Sequence, residues 1–214
     1  MMRIIDLTHM INADTSVYPG TEKPVFEQAN TIEKDGFAEV KITMYNHTGT
    51  HMDAPAHMVE GGTTLEKFKP GKFFGKAICI DCAQMPDKVI TKEYLMPYKD
   101  TIKELDFVLF KTGWSEKWLT KDYFINYPTL SDEACKWLTG FELKGIGIDT
   151  ISLDTIDSAD MENHHIILKK GMVIIENLTN LHELDQNIFT LSCFPLKFEN
   201  ADGSPVWAVA MYMD

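Results

Sequence analysis

Three histidines and an aspartate fall within eleven residues, His47-Thr-Gly-Thr-His51-Met-Asp53-Ala-Pro-Ala-His57, and this run constrains the fold more than any other segment. It follows an alternating stretch, Phe37 to Tyr45, with Ala38, Val40, Ile42 and Met44 on one side and Glu39, Lys41 and Thr43 on the other. That is the period of a half-buried strand. If the extended backbone continued at roughly 3.4 Å per residue, His47 and His51 would stand about 14 Å apart, too far to share one ion. The strand must therefore break inside the run. Gly49 allows a bend and Pro55 fixes the backbone after Asp53, so a turn can bring His47, His51 and Asp53 to one point, with His57 just outside. Two imidazoles and a carboxylate suit zinc, manganese or iron, and they leave positions open for water.

A second group is more widely spaced. His164 and His165 are adjacent, and Glu176 follows the apolar run Val173-Ile174-Ile175. An ionised carboxylate buried at a strand end costs several kcal/mol unless a cation, a hydrogen-bond network or solvent compensates it.

Ala77 to Ile80, Phe107 to Phe110, Gly145 to Ile148, Met172 to Ile175 and Val206 to Met213 are short apolar or β-branched runs that read as further strands. Thr91 before Lys92-Glu93-Tyr94-Leu95 and Ser131 before Asp132-Glu133 read as helix N-caps with acid in the first turn. The second helix continues through Ala134, Trp137 and Leu138, and Gly140 sits where a C-terminal cap would stop it. Longer loops are expected at Tyr18 to Asp35 and Asp149 to Glu162. Strands and helices are interspersed, with no repeat and no Ser/Gly/Pro linker, so residues 1–214 read as one mixed α/β domain.

The charge balance excludes some partners. With 20 basic against 32 acidic residues the net charge is -12, so no overall field draws the chain to nucleic acid or anionic lipid. The apolar runs fall short of the roughly 20 residues of a membrane span, and the first ten residues reach Asp6 and His9 before a signal-length apolar segment forms. A cytoplasmic location is expected. The four cysteines do not make a disulfide framework, and Cys79-Ile-Asp-Cys82 lacks a second pair and would point its thiols to opposite faces of a strand. His9 and His182 read as structural histidines, and Trp114, Trp118 and Trp137 as packing residues. Tyr18, in the loop Val17-Tyr-Pro-Gly20, is a candidate substrate contact.

The chain resembles the cyclase family of metal-dependent hydrolases, which includes bacterial kynurenine formamidases and isatin hydrolases. The resemblance is carried by Asp6-Leu-Thr-His9, Val17-Tyr-Pro-Gly20, the His47 to His57 signature, Lys111-Thr-Gly-Trp114, Gly147-Ile-Asp-Thr150 and Glu176-Asn-Leu178. It implies that His47, His51 and Asp53 bind a first metal and that Asp53 bridges to a second held by His164 and Glu176. His57 is then the catalytic acid/base. The family's spacing to the carboxylate falls on His164, with His165 as the competing residue. The resemblance further implies a swivelling β/β/α domain, one or two divalent ions per chain with zinc ahead of manganese, a small-molecule substrate, and a homodimer or larger assembly. The implied reaction is hydrolysis of a carbon–nitrogen bond in a small aromatic amide. N-formylkynurenine is the first candidate, and another cyclic amide or a lactone is the alternative. A non-catalytic metal-binding protein is the rival from a different class. It would need a closed ligand set, whereas His57 remains over as an unspent acid/base.

Overall fold

The computed structural model describes residues 2–185 and 187–212. Its strands are β1 (Arg3–Asp6), β2 (Val25–Asn30), β3 (Glu39–Thr43), β4 (His51–Asp53), β5 (Phe74–Asp81), β6 (Val89–Ile90), β7 (Phe107–Lys111), β8 (Thr129–Leu130), β9 (Gly145–Ile148), β10 (Val173–Glu176), β11 (Phe189–Pro195) and β12 (Gly203–Tyr212). Its α-helices are α1 (Ile32–Asp35), α2 (Lys92–Leu95), α3 (Lys99–Ile102), α4 (Asp132–Leu138) and α5 (Glu162–Leu168). Among the described residues, no helix is long and apolar enough to cross a membrane.

The apolar runs become the centre of the sheet. β5, β7, β9 and β10 pair in parallel in that order, and parallel neighbours require crossovers, which α2 with α3, α4 and α5 provide. Both faces of these strands are covered, which is why the strands read as nearly continuous Ile, Val, Leu and Phe. On one face Ile78, Ile80, Val108, Phe110 and Ile146 pack against Leu95, Ile102, Ala134, Leu138 and Ile167 of the helices. On the other face Ala77, Phe107, Leu109, Val173 and Ile175 meet Leu191, Cys193, Ala208 and Ala210 of β11 and β12. Each fully buried Val, Leu, Ile or Phe side chain among them contributes about 1.5–3 kcal/mol. The order β1-β12-β11-β5-β7-β9-β10-β4 then closes on itself, because β4 pairs with both β10 and the start of β12. The result is helices, a parallel sheet and a second strand layer, stacked as α, β and β.

Several sequence expectations change. The alternation of Phe37 to Tyr45 becomes β3, but β3 pairs only with β2 and every residue of it is exposed. Alternation shows that a strand has two unlike faces; it does not say what covers the apolar one. The expected loop at Tyr18 to Asp35 holds β2 and α1, the latter capped by the Thr31 side chain. β1, β4 and β11 are further strands that no local signal marked. Helices α2 and α4 begin at Thr91 and Ser131, whose hydroxyls accept from Tyr94 N–H and Ala134 N–H. Gly140 does not act as a left-handed cap, since α4 ends at Leu138 with Thr139 still right-handed. The final strand ends at Tyr212, and Met213 lies outside the described residues. Cys79 lies on β5 and Cys82 just beyond its end, and the two thiols sit in different core clusters.

Candidate metal centre

Gly49 makes the break that the histidine run requires. Its φ of +68° is left-handed, a conformation that costs glycine little, and a Cβ there would come within 2.8 Å of Ile11. The chain then re-enters the sheet as β4, which sets His51 and Asp53 two residues apart on one face of a strand. β4 lies between β10 and β12, with His51 opposite Glu176 and Asp53 opposite Gly203. Glu176 ends β10, so the site opens at the C-terminal ends of the parallel strands, where α/β sheets leave a crevice. His164 arrives from the first turn of α5.

Asp53 is the centre of the cluster. Its Oδ1 lies 2.6 Å from His47 Nδ1 and 3.4 Å from His51 Nε2. Its Oδ2 is buried without a hydrogen-bond partner, and lies 3.7 Å from His164 Nε2. Glu176 spans the same gap, with Oε2 3.5 Å from His51 Nε2 and Oε1 3.1 Å from His164 Nε2. Two triads therefore share Asp53: His47, His51 and Asp53, and Asp53, His164 and Glu176, with donor atoms inside each lying within 4.8 Å of one another. His165 contributes no atom to either triad, and its Nδ1 is buried without a partner elsewhere.

The electrostatics favour a cation. Burial opposes ionisation of Asp53, but His51 and His47 outweigh it and hold the carboxyl well below its usual range. Burial also opposes protonation of His164, yet Asp154, Asp53 and Glu176 raise the imidazole well above its ordinary value. For His47 the same contest, with Asp53 and Asp202 as the anions, ends at about 10. The cluster thus gathers protons to balance buried carboxylates, and it still leaves Asp53 Oδ2 orphaned. A divalent cation with nitrogen and oxygen ligands meets both needs, so the residues present fit a metal.

The outer nitrogen of each proposed ligand is braced. His51 Nδ1 lies 2.9 Å from the Gly49 carbonyl, His164 Nδ1 lies 2.6 Å from Asp154 Oδ2, and His47 Nε2 lies 3.1 Å from Asp202 Oδ2. Metal-ligating histidines are ordinarily oriented in this way. Sequence reasoning missed both Asp154 and Asp202. Nothing local sets Asp154 apart, and Asp202-Gly203 carries only the signal of a turn.

His57 follows Pro55 in a single 3-10 turn and places its ring 4.0 Å from that of His47. Burial pushes its imidazole below the ordinary value, against the pull of Asp53. A cavity of about 440 Å³ joins His57 and the cluster to the side chains of Tyr18, Tyr45, Met58, Ile151 and Met161. The Tyr18 hydroxyl donates to the Ile156 carbonyl at 3.3 Å. His9 instead stacks on Trp118 with ring centroids 4.1 Å apart, and burial lowers its imidazole to about 4. His182 joins neither triad, and Trp114, Trp118 and Trp137 line no part of this cavity.

Known proteins share this arrangement of elements. The Cyclase family model matches residues 5–155. The chain is 30% identical over 206 residues to the kynurenine formamidase of Bacillus thuringiensis (strain Al Hakam), covering 96% of this chain and 95% of that protein. It is equally 30% identical over 214 residues to the kynurenine formamidase of Bordetella avium (strain 197N), covering 98% of each. Isatin hydrolase A from Labrenzia aggregata, solved with benzyl benzoate bound, superposes with a TM-score of 0.88 at 26% identity, over 100% of this chain and 94% of that one. Fold and donor cluster together define a class, the metal-dependent hydrolases. Within it, this chain belongs to the cyclase family.

Proposed function

We propose that this chain hydrolyses an N-formylated arylamine, with N-formylkynurenine as substrate and kynurenine and formate as products. The chain is a metal-dependent amide hydrolase of the cyclase family, and the proposal concerns which amide it cleaves. One observation carries the reading: His57 stands beside a largely buried three-histidine, two-carboxylate cluster in a cavity sized for a small aromatic ligand.

His47, His51 and Asp53 would hold one cation, and Asp53, His164 and Glu176 a second. Zinc, which takes histidine and carboxylate ligands readily, is proposed ahead of manganese. When bound, such a cation acidifies water and polarises a carbonyl oxygen. His57, kept neutral by burial, accepts the proton of the attacking water as its oxygen bonds to the formyl carbon. The carbon–nitrogen bond breaks, and His57 returns the proton to the departing arylamine nitrogen. Tyr18, Tyr45, Met58 and Ile151 supply apolar and aromatic wall against which the substrate ring packs.

A second reading, hydrolysis of a neutral cyclic amide or lactone, draws support from one feature. Among the described residues, no Lys or Arg lines the cavity, so no ammonium or guanidinium there pairs with the amino-acid carboxylate of N-formylkynurenine. A homodimer is also proposed. β2 and β3 form a two-stranded sheet bearing Phe26, Val40 and Ile42, all exposed, and such a hairpin is marginal in water unless something packs on it. A cytoplasmic site suits the four free, buried thiols.

Parallel assays with N-formylkynurenine, isatin and a neutral aryl formamide test the reading. Arylamine release from N-formylkynurenine at the highest kcat/KM supports it. Hydrolysis confined to isatin favours the second reading, hydrolysis of the neutral formamide but not of N-formylkynurenine keeps the bond and overturns the substrate, and a metal-loaded protein that hydrolyses none of them contradicts both.

A further inference from the structure

Asp202 has no part in the reaction above, yet its carboxylate meets three side chains of the site. Oδ2 lies 3.1 Å from His47 Nε2 and 3.4 Å from His57 Nδ1, and Oδ1 accepts from Asn46 Nδ2 at 2.6 Å. The backbone on both sides is fixed. Ala54 N–H donates to the Asp202 carbonyl at 2.8 Å, and Gly203 pairs with Asp53 across the sheet. Gly203 also provides the room, because a Cβ at that position would overlap the His47 ring. The His47 imidazole thus lies on bare backbone, with Asp53 at one ring nitrogen and Asp202 at the other.

We propose that Asp202 is a positioning residue that accepts hydrogen bonds from His47 Nε2 and His57 Nδ1, so that His47 turns Nδ1 toward Asp53 and His57 keeps Nε2 as its free nitrogen. The reason is the donor inventory. An ionised carboxylate has no hydrogen to give, so a ring nitrogen bonded to it must be an N–H. A neutral imidazole carries one N–H and one lone pair, so at His57 fixing one nitrogen fixes the other, whereas His47, with a carboxylate at each nitrogen, donates from both. For His47 the opposite nitrogen, Nδ1, is the one 2.6 Å from Asp53 Oδ1. For His57 the free Nε2 is the acceptor that proton transfer needs. A single side chain thereby sets both a proposed ligand and the proposed proton carrier. This rests on the roles given to His47 and His57 above, but its test does not depend on turnover.

The test is imidazole nitrogen NMR on the full chain, metal-free and zinc-loaded, with zinc affinity measured in parallel. Wild type is expected to show neutral His57 with its proton on Nδ1. In Asp202→Ala the bias is lost, the Nε2–H form takes over, and zinc affinity falls roughly 10- to 100-fold. Asp202→Asn keeps the shape should the alanine variant fail to fold. Its amide oxygen can still accept from His57 Nδ1, so it is expected to keep the tautomer while the loss of charge lowers zinc affinity, and kcat falls while KM holds. A wild-type His57 protonated on Nε2 overturns the proposal without any variant, as does an unchanged tautomer in Asp202→Ala or an unchanged zinc affinity in Asp202→Asn. Failure to cleave N-formylkynurenine would count against the substrate and leave these spectra unaffected.

Discussion

The Asp154 carboxylate lies 2.6 Å from His164 Nδ1 and accepts the backbone N–H groups of Asn163 and His164 at 2.9 and 3.1 Å. One side chain both orients a proposed metal ligand and satisfies the open end of α5, which has no capping side chain of its own at Met161. Asp154→Ala is expected to weaken zinc binding roughly 10- to 100-fold. Loss of the cap adds about 1 kcal/mol of destabilisation. Calorimetric zinc titration and urea denaturation check the two effects separately, and unaltered zinc affinity would remove the bracing role.

Metal content separates the two triads. His51→Ala removes a ligand of the first triad and also the imidazole that faces Glu176, so bound metal and activity are both expected to be lost. Glu176→Ala should keep the fold, lose one ion of two and lose most activity, since the carboxylate serves only the triad of Asp53 and His164 directly. Elemental analysis of the purified variants provides the count. Full occupancy in His51→Ala, or unchanged stoichiometry in Glu176→Ala, would refute the corresponding assignment.

The sequence carried the local half of this site. His51 and Asp53 are two residues apart, so any strand presents them together, and the left-handed glycine before them marks the bend. Glu176 stood out because a carboxylate ending an apolar run needs compensation. Asp154 and Asp202 were not legible, because each reaches its histidine through a loop whose path is set by tertiary packing. Helix α5 was hidden for the same reason, its N–H groups being satisfied by an aspartate outside the helix. The short strand β4 has only three residues, too few for a periodic signal. Two segments of the family resemblance do gain a cause: the Asp149 carboxylate accepts Thr112 N–H and Gly113 N–H, which ties the ends of β7 and β9 together.

That same aspartate sets a pH dependence away from the cluster. Burial pushes the Asp149 carboxyl from its ordinary 3.8 up to about 6. The folded state therefore holds a proton that the unfolded chain releases between these values. The stability this group contributes is complete below about pH 4 and is lost as pH rises through about 6, on the order of 3 kcal/mol. Asp149→Asn cannot titrate, and its amide N–H₂ would face the Thr112 and Gly113 donors. The variant is less stable throughout, with the wild-type advantage largest at acid pH and shrinking toward neutrality. Denaturant titrations across that range check the sign, and an advantage that grows with pH would contradict it.

His57→Asn distinguishes a proton carrier from a further ligand. The variant is expected to retain wild-type metal content and to lose on the order of 10² to 10⁴ in turnover. Added zinc should not restore the rate, because the missing group moves protons and does not bind the ion. Reduced metal content together with zinc rescue would make His57 a ligand.

The account stands on the claim that the Asp53-centred cluster serves a metal-dependent cleavage of an aryl formamide. Formate release from N-formylkynurenine, followed in wild-type protein before chelation, after chelation and after reconstitution with zinc, tests this most directly. The prediction is steady release by the loaded protein, loss of release on metal removal, and its return with zinc binding at up to two ions per chain. Full turnover by a chain shown by elemental analysis to be free of metal would contradict it.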